Sequence, residues 1–303
     1  MNGCSIKTLA ACGLLGLGVC GGILASRKRK LDHAGIHVST RTKGGPALVF
    51  DLLDQDGSTM RMLVVDGVVQ SVTYTDERRY ELAMPYLAGF DAMFEPGRPV
   101  RDVLMLGGGG YGYPKHLVAE RPECRVDVVE ADPAITRLAR RYFYVNDLMR
   151  DFSCASTGRL RAYTAEGRAF LENPRVGRPL YDAIVCDCFQ GKVPAASLAT
   201  VEAAQAVKAR LAPGGTYLTN VVAALEGPAS QLLWSQTSTL TQVFSHVHAI
   251  PVDPESADER DNVIVIASDC NDTFPGELPT DALPTGPILA DESVASFLPS
   301  LVM

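Results

Sequence analysis

The run Asp102-Val103-Leu104-Met105-Leu106-Gly107-Gly108-Gly109-Gly110-Tyr111-Gly112 decides how this chain is read. Val103 to Leu106 read as a buried strand that runs straight into four glycines. Tyr113-Pro114 then opens a helical segment, and proline suits a first helical turn, where its missing N–H is not needed. The next strand, Arg125-Val126-Asp127-Val128-Val129, ends on Glu130. A glycine turn between strand and helix exposes bare backbone to a ligand, and the helix start presents unpaired N–H groups. A carboxylate at the tip of the following strand can accept two hydrogen bonds from a ribose diol. The stretch therefore predicts a nucleoside-cofactor pocket. Gly107-x-Gly109-x-x-Gly112 also satisfies the dinucleotide fingerprint, a weak signal because four glycines satisfy many patterns.

Working outward, strand and helix patterns alternate from Arg101 onward. Helices are expected at Pro133 to Tyr142, from Gly167 to Leu171, at Thr200 to Leu211 and at Ser230 to Val243. Strands are expected at Arg159 to Thr164, Tyr181 to Cys186, Thr216 to Val222, Val247 to Val252 and Asn262 to Ala267. This alternation predicts an α/β fold with a doubly wound, mostly parallel Rossmann-like sheet over residues 96–269. Upstream, β-prone runs at Ala47–Phe50, Met60–Val65 and Val68–Tyr74 are divided by turn residues such as Asp66-Gly67. They predict a small antiparallel β annex with a linking helix from Glu77 to Phe90, together spanning residues 37–95. The tail, 270–303, is rich in Pro, Asp and Thr and is expected to be irregular.

The chain has 303 residues, 47% hydrophobic and 21% charged, enough for one large domain with an annex. Its formal net charge of −7 argues against a nucleic-acid partner, since phosphate binding needs a basic surface. The eight cysteines form no C-x-x-C, and Cys186 and Cys188 read as reduced thiols packed in a core. Residues 1–30 form an apolar segment with a basic flank. Thr8 to Ser26 carry no charge, and Arg27-Lys28-Arg29-Lys30 follows at once. Such a run can just span a bilayer with its basic side in the cytoplasm. A membrane tether through residues 8–26 is the expectation, holding a cytoplasmic catalytic domain to the inner face of the cell membrane. A mobile apolar tail or a signal peptide is the alternative.

Further acids stand at strand ends. Glu166 follows the strand ending at Thr164 and precedes Gly167, where it could accept from an adenine amino group. Asp187 ends the next strand, at the centre of the expected crevice. Each could instead be a carboxylate favoured by a helix start. Asp132 reads as a helix cap before Pro133. His246 and His248 read as ordinary strand residues, and no metal is expected. No G-x-S-x-G and no P-loop is present, so serine-hydrolase and phosphoryl-transfer chemistry lack support.

Taken in order, Val103 to Gly109, Val128-Val129-Glu130-Ala131-Asp132-Pro133, Glu166 to Leu171 and Tyr181 to Asp187 resemble the spermidine/spermine synthases. Asp66-Gly67-Val68-Val69-Gln70 resembles that family's amino-terminal β segment. Asp187-x-Phe189-x-Gly191, with Val193-Pro194 and Leu198-x-Thr200 after it, resembles a divergent bacterial branch. The resemblance implies a class I S-adenosylmethionine-dependent methyltransferase fold and a homodimer. It also implies aminopropyl transfer from decarboxylated S-adenosylmethionine to putrescine or a similar small amine. By motif, Gly107, Gly108, Gly109, Glu130, Glu166 and Gly167 would hold the nucleoside. Asp187 would orient and deprotonate the attacking amine, and Gln70, Tyr80 and Gln190 would meet the substrate. Tyr111 or Tyr113 would flank the sulfonium, with packing as the alternative. Three departures stand out. Gly110 and Tyr111 replace the family's usual Asp-Gly, Gln190 replaces its second Asp, and its Tyr-x-Glu element is reduced to Tyr80-Glu81. The runners-up are a methyltransferase using intact S-adenosylmethionine, a nicotinamide-dependent oxidoreductase and a nucleoside-binding homologue without catalysis.

Overall fold

The computed structural model of the chain describes residues 35–54, 57–190, 193–255, 257–279 and 284–301. The apolar stretch at 8–26 and its basic flank lie outside the described residues. No helix among the described residues is long and apolar enough to cross a membrane.

Short apolar runs buried on both faces must be covered from both sides, and here they line up as one sheet. Five strands run parallel: β5 (Asp102–Leu106), β6 (Arg125–Glu130), β7 (Leu160–Thr164), β8 (Tyr181–Cys186) and β11 (Leu211–Ala223). β12 (His246–Pro251) and β13 (Asp261–Ser268) complete the sheet, with β13 antiparallel to both neighbours. The spatial order is β12-β13-β11-β8-β5-β6-β7. β5 shows the period of two: Val103 and Met105 join one core cluster, Leu104 and Leu106 the other. The order reverses direction at β5, so a crevice opens between the carboxyl ends of β5 and β8.

The helices follow their caps. α1 spans Gly112–Glu120, α2 Pro133–Tyr142, α3 Val145–Asp151 and α4 Cys154–Thr157. α5 spans Gly167–Leu171, α6 Val201–Arg210 and α7 Gln231–Leu240. Asp132 caps α2 by accepting from the Ala134 N–H at 2.8 Å, and the Thr200 side chain caps α6.

The annex is a separate four-stranded antiparallel meander of β1 (Ile36–Thr42), β2 (Gly45–Leu53), β3 (Thr59–Val65) and β4 (Val68–Tyr74). Asp66 and Gly67 both take positive φ between β3 and β4, as a tight hairpin turn requires. Ala47, Val49 and Leu63 pack into the first core cluster, pressing the annex onto the helix side of the sheet.

Two sequence expectations are corrected. Glu77 to Phe90 is not an α-helix: turns lead to a 3-10 helix at Pro85–Phe94. Pro85 forces Met84 into an extended conformation and so starts a new element. A Cβ at Gly89 would lie 2.6 Å from Ile264 Cγ1, so glycine lets this helix press onto β13. The tail is not wholly irregular either, because α8 spans Val294–Leu301. Val294 and Leu298, four residues apart, are buried in the second core cluster, and that burial stabilises the helix.

Lys115 of α1 ties the annex to the main sheet. Its ammonium is buried and donates to Thr73 Oγ1 and to the Arg79 carbonyl, both at 2.9 Å. Burial first, and then the nearby Arg79 charge, lower its pKa to about 7. The native lysine thus holds fewer protons than the unfolded one between about pH 7 and the ordinary lysine value of about 10. Stability should therefore rise with pH across that window. Lys115→Met is expected to flatten the rise in urea unfolding measured from pH 6.5 to 9.5. An unchanged slope would remove Lys115 as its cause.

Candidate functional site

Gly107 leaves β5 at φ +91, a conformation that side chains rarely adopt. A Cβ there would run into the carbonyl oxygen of Asp187, so the two strand tips meet only because residue 107 is glycine. The Gly110 N–H donates to Ser71 Oγ of β4 at 3.0 Å. The Gln70 carbonyl lies 3.5 Å from where a Cβ on Gly109 would stand. The annex thus forms one wall of the glycine loop, and Gln70 meets that loop through its backbone.

Glu130, at the tip of β6, turns its carboxylate onto the same loop. Oε2 accepts from the Gly108 and Gly109 N–H groups at 3.0 and 3.3 Å, and Oε1 from the Asp132 N–H at 2.8 Å. A carboxylate has about four acceptor positions, and three are taken, so one remains for a ribose hydroxyl. Glu166 stands further along the rim, after β7, and is exposed. It caps α5 by accepting from the Ala169 N–H at 2.9 Å, and its other oxygen accepts from the Ser197 hydroxyl at 2.9 Å. Gly167 beside it is buried, where a Cβ would stand 3.0 Å from Leu198 Cδ1.

Asp187 follows β8, its N–H held by the Leu106 carbonyl at 2.9 Å. Tyr86 Oη donates to its Oδ2 at 2.8 Å, and Asn220 Nδ2 donates to its Oδ1 at 3.0 Å. Among the described residues no cation pairs with it. Burial raises the carboxyl above the usual carboxylate range, against the two hydrogen bonds that lower it. Burial and the Asp187 charge likewise push the Tyr86 phenol well up. Cys186 and Cys188 flank Asp187 as free thiols. The Cys188 thiol is pushed well up by its hydrogen bond with Cys186, by burial and by the charges of Asp187 and Glu130, so it lies within electrostatic reach of both carboxylates.

The crevice therefore gathers Gly107, Gly108, Gly109, Glu130, Asp187 and the Gln70 backbone. Tyr80 lies elsewhere: its hydroxyl donates to Asp151 Oδ2 at 2.8 Å and its ring packs on Phe152. Tyr86, six residues on, is the tyrosine that stands beside Asp187. The signal in the sequence was Pro85, which starts the 3-10 turn that carries Tyr86 inward. Gln190 lies on the two-residue strand β9 (Phe189–Gln190), paired with β10 (Val193–Pro194), and its side chain is outside what the structure describes. Tyr111 and Tyr113 are 0% and 1% exposed and bond to Thr136 and Asp91, so both rings are packed in the core. Tyr111 stands at φ 61 where the resembled family has glycine, which explains the family's choice there. His248 faces Glu277 at 2.6 Å on β12. No group of three or more His, Cys, Asp or Glu among the described residues is arranged to hold a metal ion.

A glycine turn, a strand-tip glutamate and a second strand-tip acid across a topological switch define the class. This is a Rossmann-like α/β fold of the class I methyltransferase type with an antiparallel annex. The chain shares the fold of a probable spermidine synthase from Corynebacterium glutamicum, with a TM-score of 0.65 and 20% identity over 86% of this chain and 93% of that one. It also superposes on spermidine synthase from Thermotoga maritima, with a TM-score of 0.54 and 16% identity over 88% of this chain and 87% of that one. In sequence it is 28% identical over 192 residues to the polyamine aminopropyltransferase of Vibrio vulnificus, covering 62% of this chain and 58% of that protein. It is 28% identical over 222 residues to polyamine aminopropyltransferase 2 of Pseudomonas aeruginosa, covering 69% of this chain and 55% of that protein. The chain thus spans little more than half the length of these curated relatives. No protein-family model matches it. The chain is similar in sequence to polyamine aminopropyltransferases and shares the fold of spermidine synthases.

Proposed function

We propose that the chain transfers an aminopropyl group from decarboxylated S-adenosylmethionine to a small amine such as putrescine. One observation carries this reading above the others. Asp187 is a half-buried carboxyl without a cationic partner among the described residues, set between Tyr86 and Asn220 next to the glycine loop. A carboxylate so placed suits a cationic amine that must lose a proton before it can attack. The names of the sequence relatives support the same chemistry.

Asp187 takes one proton from the amine and frees its lone pair. The nitrogen attacks the aminopropyl carbon next to the sulfonium, the C–S bond breaks, and its electrons neutralise the sulfur. The products are the aminopropylated amine and 5′-methylthioadenosine. Placing nitrogen and carbon in line supplies much of the acceleration. Asn220 and Tyr86 hold the Asp187 carboxyl still by hydrogen-bonding one oxygen each. Glu130 holds the ribose, Glu166 and Gly167 face the adenine, and Gly107 to Gly109 let the nucleoside approach backbone. The uncharged run at 8–26 with Arg27-Lys28-Arg29-Lys30 supports a tether to the inner membrane face, and the resemblance supports a homodimer.

The test is direct. The protein is incubated with putrescine and either decarboxylated or intact S-adenosylmethionine. Release of 5′-methylthioadenosine with aminopropylated amine supports the reading. S-adenosylhomocysteine from the intact donor would replace it with methyl transfer, which the Gln190 departure favours. Glu130→Gln is expected to weaken 5′-methylthioadenosine binding in calorimetry by roughly 10–100-fold, the worth of a lost hydrogen bond to a charged group. An unchanged affinity would take the ribose away from Glu130.

A further inference from the structure

We propose that Asp261 is the far anchor of the amine acceptor, which lies as a diamine between Asp187 and Asp261. The inference rests on the transfer reading for the role of Asp187, and the position of Asp261 is its own evidence. A second ammonium in a half-buried crevice needs a compensating charge, and Gln190 offers none where the resembled family has an acid. The structure supplies one from a different strand.

Asn220 on β11 is 4% exposed, and its Nδ2 donates both to Asp187 Oδ1 and to Asn262 Oδ1, each at 3.0 Å. With both acceptors on its nitrogen, the amide orientation is set, and Asn220 Oδ1 is left buried without a partner. A buried carbonyl oxygen without a donor is costly, and it points to a ligand N–H. Asn262 continues the line. Its Nδ2 donates to Asp261 Oδ1 at 3.1 Å and its backbone N–H to the same oxygen at 2.7 Å. Asp261 is half-buried, and among the described residues no cation pairs with it and no hydrogen bond reaches its Oδ2. The register explains the alignment. Asn262 lies opposite Val222 and Asp261 opposite Ala223, while Asn220 sits two residues deeper on β11 and Thr219 lies opposite Cys186. The path from Asp187 through Asn220 and Asn262 to Asp261 thus runs outward to the sheet rim as a chain of hydrogen-bonded side chains. One nitrogen gives its proton to Asp187 and attacks, Asn220 Oδ1 accepts from an N–H on the way, and the other nitrogen stays protonated against Asp261.

The experiment compares putrescine with n-butylamine, in transfer assays and by calorimetry on protein saturated with 5′-methylthioadenosine. The wild type should prefer the diamine in both. In Asp261→Asn, which keeps the acceptor oxygen for Asn262, that preference should fall about tenfold or more. Glu259→Gln, an exposed acid on the same hairpin, should leave it in place. Asp261→Glu keeps the charge one methylene further in and should shift the optimum from putrescine toward 1,3-diaminopropane, a change that a purely structural role would not produce. Transfer that persists with an unaltered diamine preference in Asp261→Asn overturns the inference and leaves the transfer reading standing. Absence of any diamine preference in the wild type overturns it as well. Diamine binding that depends on Asp261 without turnover would sustain the inference and remove the transfer reading.

Discussion

Asp187→Asn is expected to lower aminopropyl transfer by roughly 10²–10⁴-fold, the usual worth of a general base, while 5′-methylthioadenosine still binds. The substitution removes the proton acceptor and leaves the glycine loop and Glu130 untouched, so catalysis and nucleoside affinity should separate cleanly. Turnover at the wild-type rate would reject Asp187 as the base. The wild-type pH profile offers a second check. Burial raises the Asp187 carboxyl, so the acid limb of kcat/KM should fall above the ordinary Asp value of about 4. The same shift acts on stability with the opposite sign to activity. The native carboxyl holds its proton to higher pH than the unfolded one, so unfolding free energy falls as pH rises through that window. Above it, the buried carboxylate is a standing cost. Asp187→Asn should therefore be more stable than the wild type at neutral pH and show little gain in acid. Equal stability at both would mean that the carboxyl is not strained by its surroundings.

Gly107→Ala should be the most damaging single change to the nucleoside site. A methyl group at 107 meets the Asp187 carbonyl oxygen, which is backbone and cannot swing aside, and the residue must also hold φ +91. Strain and overpacking together should cost about 3 kcal/mol. In a domain of this size that corresponds to a melting temperature lower by roughly 6–12 °C. Because β5 and β8 would have to separate, binding and transfer should both be lost, unlike the selective loss at Asp187. A stable, nucleoside-binding Gly107→Ala protein would show that the two strand tips do not meet as described. Gly109→Ala makes a useful comparison, since its nearest neighbour, the Gln70 carbonyl, is at ordinary contact distance and only φ +49 opposes the change.

Much of the site was legible along the chain because its chemistry is local. Leu106-Gly107 marks a strand tip and a turn, Val129-Glu130 marks the next tip, and Asp132-Pro133 marks a cap followed by a first helical turn. Each signal spans a few residues and depends on strand period, glycine freedom or capping geometry. The resemblance added order and spacing to these signals. It misplaced the tyrosine, since matching Tyr80-Glu81 to a motif cannot reveal that Pro85 restarts the chain as a 3-10 turn. The helix at Val294–Leu301 was missed for a related reason. Composition around it reads as loop, and only packing against a finished core shows that Val294 and Leu298 are enclosed.

The sequence by itself determined the alternation of strands and helices, the glycine turn after β5 and the acids at successive strand tips. It did so because these follow from backbone preferences acting over a turn or a strand length. The tertiary structure alone decided that Tyr86 meets Asp187 from 101 residues away and that Asn220 joins Asp187 to Asn262. Such contacts depend on the order of strands in the sheet and on the antiparallel register of β13 against β11. Non-local pairing sets both, and no short stretch of sequence carries it.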